Sequence, residues 1–322
     1  MPIPLRTTAT WRLFKLLERR PVMQQPPEKV RAASDRRIRL LGLPGMALVA
    51  GRPDPGTLIS QESLTLPDGT KLPLRVYRPR AAAAGERLAV VVNFHGGGWV
   101  SGDARQSDWW CAALAAQAGV AVVSVDYRLA PENPFPIPGE DCYAATNWVA
   151  EHADKLGVDA ARLAVMGDSA GGNLAAVVAI MARDRGGPPI ALQILLYPSV
   201  DLGADYPSKD ENANAPILSR KDVDTTWKLY LSDPASDPKD PYASPLFADH
   251  HDLPPALIQT AQFDPLRDQG PVYAAALREV GVTVRLTNYV DAVHGYISLP
   301  NVTVGARQAL AEAVATLRET LG

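Results

Sequence analysis

A serine flanked by small residues is the strongest chemical signal in the sequence. The segment Gly167–Gly172 reads Gly-Asp-Ser-Ala-Gly-Gly and lies between an apolar run, 162–166, and a helical pattern, 171–183. A sharp strand-to-helix turn of this GxSxG type leaves no space for side chains two residues either side of the serine. We predict that Ser169 is a nucleophile and that the backbone N–H of Ala170, at the start of the helix, faces negative charge forming beside it.

A glycine-rich loop is the second signal. His95–Trp99 reads His-Gly-Gly-Gly-Trp and directly follows the apolar run 88–94. Three consecutive glycines are costly in conformational entropy, so they indicate a backbone that approaches a ligand closely. We predict that the N–H groups of Gly97 and Gly98 join that of Ala170 in an oxyanion hole. A phosphate-binding loop is disfavoured, because no Lys-Ser/Thr pair and no GxGxxG spacing follow. The histidine is interpreted as a structural side chain that ties the loop down.

The elements that must position these residues alternate between strand and helix. From residue 88 onward the apolar runs are continuous rather than alternating, as is typical of parallel strands covered on both faces. A hairpin precedes them, with strands at 57–66 and 72–77 around a Pro-Asp-Gly turn. The predicted pattern is an α/β fold with a mostly parallel sheet flanked by helices. The predicted later strands lie at 88–94, 120–125, 162–166, 190–196, 255–260 and 282–288, and the predicted helices at 104–118, 139–155, 171–183, 268–280 and 301–321.

A third motif, Asp126–Glu132, reads Asp-Tyr-Arg-Leu-Ala-Pro-Glu and is expected to brace the site through charge pairs and turns. Together with His95–Trp99 and Gly167–Gly172 it resembles the hormone-sensitive lipase family of α/β-hydrolases, in the branch with Asp before the nucleophile. The resemblance extends from about residue 60 to the C-terminus. It implies an α/β-hydrolase fold with an eight-stranded sheet, a small helical cap, and carboxylesterase activity on short- to medium-chain esters without a cofactor. It also implies a possible homodimer.

The acid and the base of a catalytic triad should follow the nucleophile in that order along the chain, as in this fold. Asp264 comes just after the predicted strand 255–260, where the family places its acid, and is the predicted acid. His294 comes shortly after the predicted strand 282–288 and precedes a glycine, and is the predicted base. Asp268 is interpreted as the N-cap of the helix that follows it.

Two residues depart from the pattern that is common in the family. Gln269 stands where the family often has Glu, and Tyr296 stands where it often has Phe. The first removes a charge near the acid loop, and the second is expected to add a hydroxyl beside the base. Neither is a member of the triad, so the departures bear on rate and substrate preference rather than on the class of reaction.

Composition and charge narrow the choice of partners. The formal net charge of −3 provides no basic surface for nucleic acid. No apolar run reaches the roughly 20 residues of a membrane span. The two cysteines, Cys111 and Cys142, lie in predicted helices and are interpreted as reduced core thiols of a cytoplasmic protein. His250 and His251 lack further ligands at metal spacing, so we interpret them as a solvated loop pair and predict no metal and no cofactor. A small-molecule ester is the expected partner.

Two segments are predicted to cover the catalytic domain, 57–322. Residues 1–56 are rich in Arg and Pro without strand periodicity and are interpreted as an N-terminal cap or arm. Its amphipathic segment 11–20 is expected to pack on its own protein, with a membrane-interface helix or a transit peptide as the alternative. An insertion at about 202–231 carries a helical piece and leaves from the carboxyl end of a strand, where ligands bind in such sheets. We interpret it as a cap. The alternative is a surface loop without a role in catalysis.

The predicted function is that of a serine carboxylesterase that works through an acyl-enzyme intermediate. An amidase or a lactonase with the same triad is an alternative within the same chemistry. A different class is a small-molecule receptor, such as the plant gibberellin receptors, which resemble this family but lack the catalytic histidine. The presence of Ser169, Asp264 and His294 favours an enzyme.

Overall fold

A single mixed sheet of eight strands forms the centre of the molecule. The computed structural model describes residues 3, 5, 7–9, 12, 25–41, 43–303 and 305–322. The strand order is β1-β2-β4-β3-β5-β6-β7-β8, with antiparallel pairs β1–β2 and β2–β4 and parallel pairing from β4 onward. The predicted eight-stranded, mostly parallel sheet is therefore confirmed. The strands are β1 Thr57–Thr65, β2 Lys71–Pro79, β3 Leu88–Phe94, β4 Ala121–Val125, β5 Val158–Asp168, β6 Leu192–Leu196, β7 Ala256–Phe263 and β8 Val284–Val293.

Helices cover both faces of this sheet. They are α1 Pro27–Leu41, α2 Ala47–Ala50, α3 Asp108–Leu114, α4 Ile137–Glu151, α5 Ala153–Leu156, α6 Ala170–Asp184, α7 Pro207–Glu211, α8 Arg220–Tyr230, α9 Gln269–Glu279 and α10 Ala306–Leu321. Short 3₁₀ segments occur at Pro44–Met46, Ala104–Ser107, Pro245–Phe247 and Tyr296–Ser298, and a turn of π-helix at Ala115–Gly119. Helices α3 and α10 pack on one face, and α4, α6 and α9 pack on the other.

The two-sided cover explains the continuous apolar runs. In β3, Val90 and Val92 face one core and Val91 faces the other, and all three are fully buried. Strands β5, β7 and β8 are longer than predicted, because their ends contain polar residues that pair with neighbouring strands without forming an apolar run. Helix α10 begins at Ala306 rather than at 301, directly after Gly305, whose φ is 93°.

The register of the sheet places the functional segments side by side. Phe94 at the end of β3 pairs with Gly167 of β5, so the glycine-rich loop and the serine turn leave the sheet as neighbours. Phe263, the last residue of β7, pairs with Val293, the last residue of β8, so the segments that follow these two strands also leave the sheet as neighbours. The carboxyl ends of parallel strands meet at one edge of the sheet, which is the common position for ligands in such folds.

Helices α1, α7 and α8 lie at this carboxyl edge. Helix α1 is fixed by Arg31, whose guanidinium binds the carboxylate of Glu132 and the carbonyl oxygens of Ala130 and Val100. Residues 11 and 13–20, which carry most of the predicted amphipathic segment, lie outside the described residues. None of the helices in the described part of the chain combines the length and the apolar character that crossing a membrane requires.

Candidate active site

The serine turn is as tight as the sequence pattern requires. Ser169 has φ 56° and ψ −116°, a conformation that side chains rarely adopt, and its N–H donates to the carbonyl oxygen of Leu196 at 2.8 Å. A Cβ on Gly167 would lie 2.1 Å from the carbonyl oxygen of Gly171, and a Cβ on Gly171 would lie 1.9 Å from that of Phe94. Both distances are far below van der Waals contact, so these positions accept glycine alone.

The three residues predicted as nucleophile, base and acid meet at the edge of the sheet. His294 Nε2 lies 2.9 Å from Ser169 Oγ, and His294 Nδ1 lies 2.7 Å from Asp264 Oδ2. Asp264 is 0% exposed, and its other oxygen accepts from the N–H of Leu266 at 2.8 Å. An ionised carboxylate only accepts hydrogen bonds, so the imidazole carries its proton on Nδ1 and presents the lone pair of Nε2 to the serine hydroxyl.

The glycine-rich loop presents free backbone donors beside this serine. Gly97 has φ 126° and Gly98 has φ 64°, so both lie in conformations that favour glycine. Among the described residues no group accepts a hydrogen bond from the N–H of Gly97, Gly98 or Ala170. Trp99 follows with φ 60°, a left-handed conformation that costs a residue with a side chain roughly 1–2 kcal/mol. The loop therefore presents its donors from a conformation that carries a local cost at Trp99.

His95 ties the loop to its surroundings, as the sequence suggests. Its Nδ1 donates to the carbonyl oxygen of Gly96 at 2.8 Å, and its ring stacks on Tyr127 with centroids 4.3 Å apart. The hydroxyl of Tyr127 donates to the carbonyl oxygen of His95 at 2.7 Å, and Gln106 donates to that of Gly96 at 3.0 Å. The first residue of the glycine run is thus held on several sides.

Asp168 is a residue of the site whose contacts could not be predicted from the sequence. Its carboxylate accepts from the N–H of Gly96 at 2.9 Å, and the hydroxyl of Tyr197 lies 3.5 Å from its other oxygen. Burial raises the pKa of Asp168 above its ordinary value of 3.8. This side chain links the serine turn to the glycine-rich loop. Its place directly before Ser169 was the available signal, but the link depends on β3 lying next to β5.

The motif at 126–132 supplies braces around the site. Asp126 accepts from the N–H of Ala104 at 2.5 Å, and burial raises the pKa of its carboxyl. Arg128 forms a bidentate ion pair with the buried carboxylate of Asp141, whose shortest contact is 2.7 Å. These contacts connect the loop after β4 to the 3₁₀ segment Ala104–Ser107 and to α4.

Two interpretations of polar residues were wrong. Asp268 does not cap α9 with its side chain. Its carboxylate accepts instead from the N–H of Ser208 at 2.8 Å, in the first turn of α7, because that helix start lies against the acid loop. His250 is buried rather than solvated, and its Nε2 bonds the carbonyl oxygen of Pro245 at 2.9 Å, whereas His251 is exposed beside Asp249.

The two departures from the family pattern have structural consequences of different kinds. The side-chain oxygen of Gln269 accepts from the N–H groups of Val200 and Asp201 at 2.7 and 3.0 Å, a role that a carboxylate would also fill. The hydroxyl of Tyr296 donates to Gln259 at 3.2 Å. The expectation of a hydroxyl beside the base is therefore wrong, because this hydroxyl is bonded in the core.

Comparison with known proteins agrees with this geometry. A family described by its alpha/beta hydrolase fold matches residues 91–298. The chain belongs to this family of α/β-hydrolases. It is 45% identical over 257 residues to the carboxylesterase NlhH of Mycobacterium tuberculosis, and this alignment covers 78% of the chain and 79% of the relative. It is 38% identical over 277 residues to an ethyl acetate hydrolase of Pseudomonas putida, covering 85% and 87%.

The solved structure of a hyperthermophilic esterase from the archaeon Pyrobaculum calidifontis superposes on the hydrolase with a TM-score of 0.90, at 38% identity over 99% of both chains. The predicted resemblance to the hormone-sensitive lipase family is thereby confirmed.

A cavity of about 750 Å³ opens over Ser169 in this α/β-hydrolase. Its walls come from the glycine-rich loop, from α1 and α8, and from the loop around His294. Trp109 contributes to the wall, whereas Trp110 is buried in the core against Met166. The volume is within the range of pockets for small organic ligands.

Proposed function

We propose that this hydrolase is a serine carboxylesterase, with Ser169 as nucleophile, His294 as base and Asp264 as the acid that orients the base. The observation that carries the proposal is the 2.9 Å contact of His294 Nε2 with Ser169 Oγ, beside backbone N–H groups for which the described residues offer no acceptor. A carboxylesterase and an ethyl acetate hydrolase among its relatives support ester hydrolysis as the reaction.

Acylation follows from the proton positions. His294 Nε2 takes the proton of Ser169, and the oxygen attacks the carbonyl carbon of the ester. The carbonyl electrons move to oxygen, and the N–H groups of Gly97, Gly98 and Ala170 form the oxyanion hole that holds the resulting charge. One such donor typically lowers the barrier by about 3 kcal/mol. The imidazolium then donates its proton to the leaving alcohol, and an acyl-enzyme remains.

Deacylation repeats these steps with water. His294 takes a proton from a water molecule, the hydroxide attacks the acyl carbon, and the proton returns to Ser169 as the acid leaves. Asp264 keeps the imidazole in the productive tautomer and stabilises the imidazolium in both halves of the reaction. The reaction as written needs no cofactor.

The substrate class is small carboxylic esters with short to medium acyl chains. The cavity size supports this range. Esters are favoured over amides because an amine leaving group needs more complete protonation. Amidase and lactonase activities are the alternatives that use the same triad.

The cap and the cellular setting complete the proposal. Residues 1–56 and about 202–231 form a cap over the catalytic domain 57–322, supported by the contribution of α1 and α8 to the cavity wall. A cytoplasmic location is supported by Cys111 and Cys142, which are buried and free. Assembly into a homodimer stays a prediction, which sedimentation of the purified protein would test.

The experiment that tests the function is a panel of p-nitrophenyl esters of rising acyl length, run with the parent and with Ser169→Ala. The variant should lose on the order of 10⁴-fold or more in kcat. Hydrolysis by Ser169→Ala at close to the parental rate would contradict the assignment.

A fluorophosphonate probe separates the enzyme from a receptor on the same fold. The probe should label the parent but not Ser169→Ala. The control is Ser199→Ala, which removes a second buried serine near the turn and should still be labelled. A parent that the probe leaves unlabelled would favour the receptor.

A further inference from the structure

Helix α8 touches the glycine-rich loop at two adjacent points. A Cβ on Gly98 would lie 2.5 Å from Cγ2 of Thr226, so this methyl group is seated directly against the backbone of Gly98. One helical turn later, the ring of Tyr230 stacks on Trp99 with centroids 4.4 Å apart and planes 7° from parallel. All of these side chains are buried. One face of a helix from the insertion therefore covers the middle of the loop.

The loop needs this outside support. Hydrogen bonds fix its two ends. The N–H of Gly96 donates to the carboxylate of Asp168, and the carbonyl oxygen of Trp99 accepts from the N–H of Ala130 at 2.9 Å. Between those ends the carbonyl oxygen of Gly97 accepts from the N–H groups of Val100 and Ser101, but the N–H groups of Gly97 and Gly98 have no partner among the described residues. The left-handed conformation of Trp99 persists only if its surroundings over-determine it.

We propose that Tyr230 and Thr226 are positioning residues, which hold the N–H groups of Gly97 and Gly98 where the oxyanion forms. The insertion then helps to assemble the oxyanion hole, in addition to covering the cavity. This inference rests on the proposed function, since it assigns the two N–H groups to the same ester hydrolysis.

Helix α8 is itself firmly seated, as a positioning element must be. The buried ammonium of Lys209 on α7 contacts Asp205 at 2.6 Å and Asp224 of α8 at 2.7 Å, and lies 4.4 Å from the ring centre of Trp227. At the end of α8, the carbonyl oxygen of Tyr230 accepts from the N–H of Phe135 at 2.9 Å. These contacts fix the rings and methyl group that face the loop.

The chemistry of Tyr230 suggests a clean comparison. Its hydroxyl has no hydrogen-bond partner in the described part of the chain, so the flat ring is what the loop requires. Tyr230→Phe keeps the stacked ring, and Tyr230→Leu removes it while keeping an apolar side chain. Lys228→Ala, on the exposed side of the same helix, is the matched control.

The experiment measures kcat and KM for p-nitrophenyl butanoate together with two inhibitors. One is a trifluoromethyl ketone, to whose carbonyl carbon the serine oxygen adds, so that its oxygen becomes an oxyanion in the hole. The other is the corresponding secondary alcohol, which has the same skeleton and forms no oxyanion.

Tyr230→Leu should lower kcat by about 10- to 100-fold with KM within about twofold, since a shift of about 1 Å in a catalytic group costs up to about 10²-fold. Inhibition by the ketone should weaken by the same factor, and inhibition by the alcohol should not change. Tyr230→Phe should restore parental values, and Lys228→Ala should keep them.

Equal weakening of ketone and alcohol inhibition, or unchanged kcat in Tyr230→Leu, would overturn the proposal. If Tyr230→Leu does not fold, Thr226→Ser removes only the methyl group against Gly98 and should lower kcat several-fold with the same difference between the inhibitors. The same kcat and the same inhibition by both compounds in Thr226→Ser would then overturn it. A parent that neither hydrolyses the ester nor reacts with the fluorophosphonate would instead refute the proposed function.

Discussion

Replacing Asp264 by asparagine isolates the role of the buried carboxylate. In the parent, its two oxygens accept from His294 Nδ1 at 2.7 Å and from the N–H of Leu266 at 2.8 Å. An amide has one oxygen and one NH₂ group, so it satisfies only one of these donors. If the oxygen stays on Leu266, the NH₂ faces Nδ1, and the imidazole must move its proton to Nε2, toward Ser169. The base then cannot accept the serine proton.

The size of the effect follows from this change of tautomer together with the lost charge. A triad whose carboxylate becomes an amide loses on the order of 10⁴-fold in kcat, equivalent to about 5.5 kcal/mol of barrier. KM should change little, because Asp264 is fully buried behind the histidine and does not line the cavity. Steady-state hydrolysis of p-nitrophenyl butanoate measures both constants, and circular dichroism checks that the variant is folded.

The matched control is Asp268→Asn, on the same loop. Asp268 bonds the N–H of Ser208 and the guanidinium of Arg267, and makes no contact with His294 among the described residues. This variant should keep kcat within a few-fold of the parent. A folded Asp264→Asn enzyme within tenfold of parental kcat, or a larger loss in Asp268→Asn, would refute the assignment of the acid.

Two further predictions concern stability. Gly171→Ala places a Cβ 1.9 Å from the carbonyl oxygen of Phe94, so the free energy of unfolding should fall by about 3 kcal/mol or more. The control is Gly139→Ala, whose Cβ would have its nearest neighbour 3.7 Å away and which should not destabilise the protein. Urea denaturation compares the two variants, and equal stability would contradict the steric argument. Because burial raises the pKa of Asp168 above 3.8, the folded state binds this proton more tightly than the unfolded chain, so its contribution to stability falls as pH rises from 3.8 to the folded pKa. Over that interval Asp168→Asn should therefore lose less stability than the parent, as measured by urea denaturation at a series of pH values. If the free energy of unfolding changes with pH in the same way in both proteins, the raised pKa is contradicted.

The sheet and the three residues of the proposed triad could be predicted from the sequence because each has a local signal. Continuous apolar runs mark strands that are buried on both faces, as in β3. The edge strand β8 extends to Val293 through half-exposed positions such as Thr287 and Tyr289, where pairing with β7 decides the structure and composition does not. Periodicity alone therefore ended this strand too early.

Contacts between distant segments could not be predicted in this way. The carboxylate of Asp168 reaches Gly96, and that of Asp268 reaches Ser208, because neighbouring elements of the fold bring them together. A local rule assigned Asp268 to its own helix, since an aspartate before a helix is a common cap. Tertiary contact with α7 overrides that preference.

The positions of the site residues follow from strand pairing, with one exception. Because Phe263 pairs with Val293, the proposed acid and base directly follow two adjacent strands. Because Phe94 pairs with Gly167, the glycine-rich loop leaves the sheet beside the serine turn. The sheet therefore sets where each loop starts, but it does not set the left-handed backbone at Gly98 and Trp99, which lies beyond the last paired residue. Hydrogen bonds within the loop, from the N–H groups of Val100 and Ser101 to the carbonyl oxygen of Gly97, act on that conformation, and so does the packing of α8 on Gly98 and Trp99. Substitution of exposed residues of α8 such as Lys228 should therefore have little effect on the reaction, whereas substitution of Thr226 or Tyr230, which face the loop, should lower kcat.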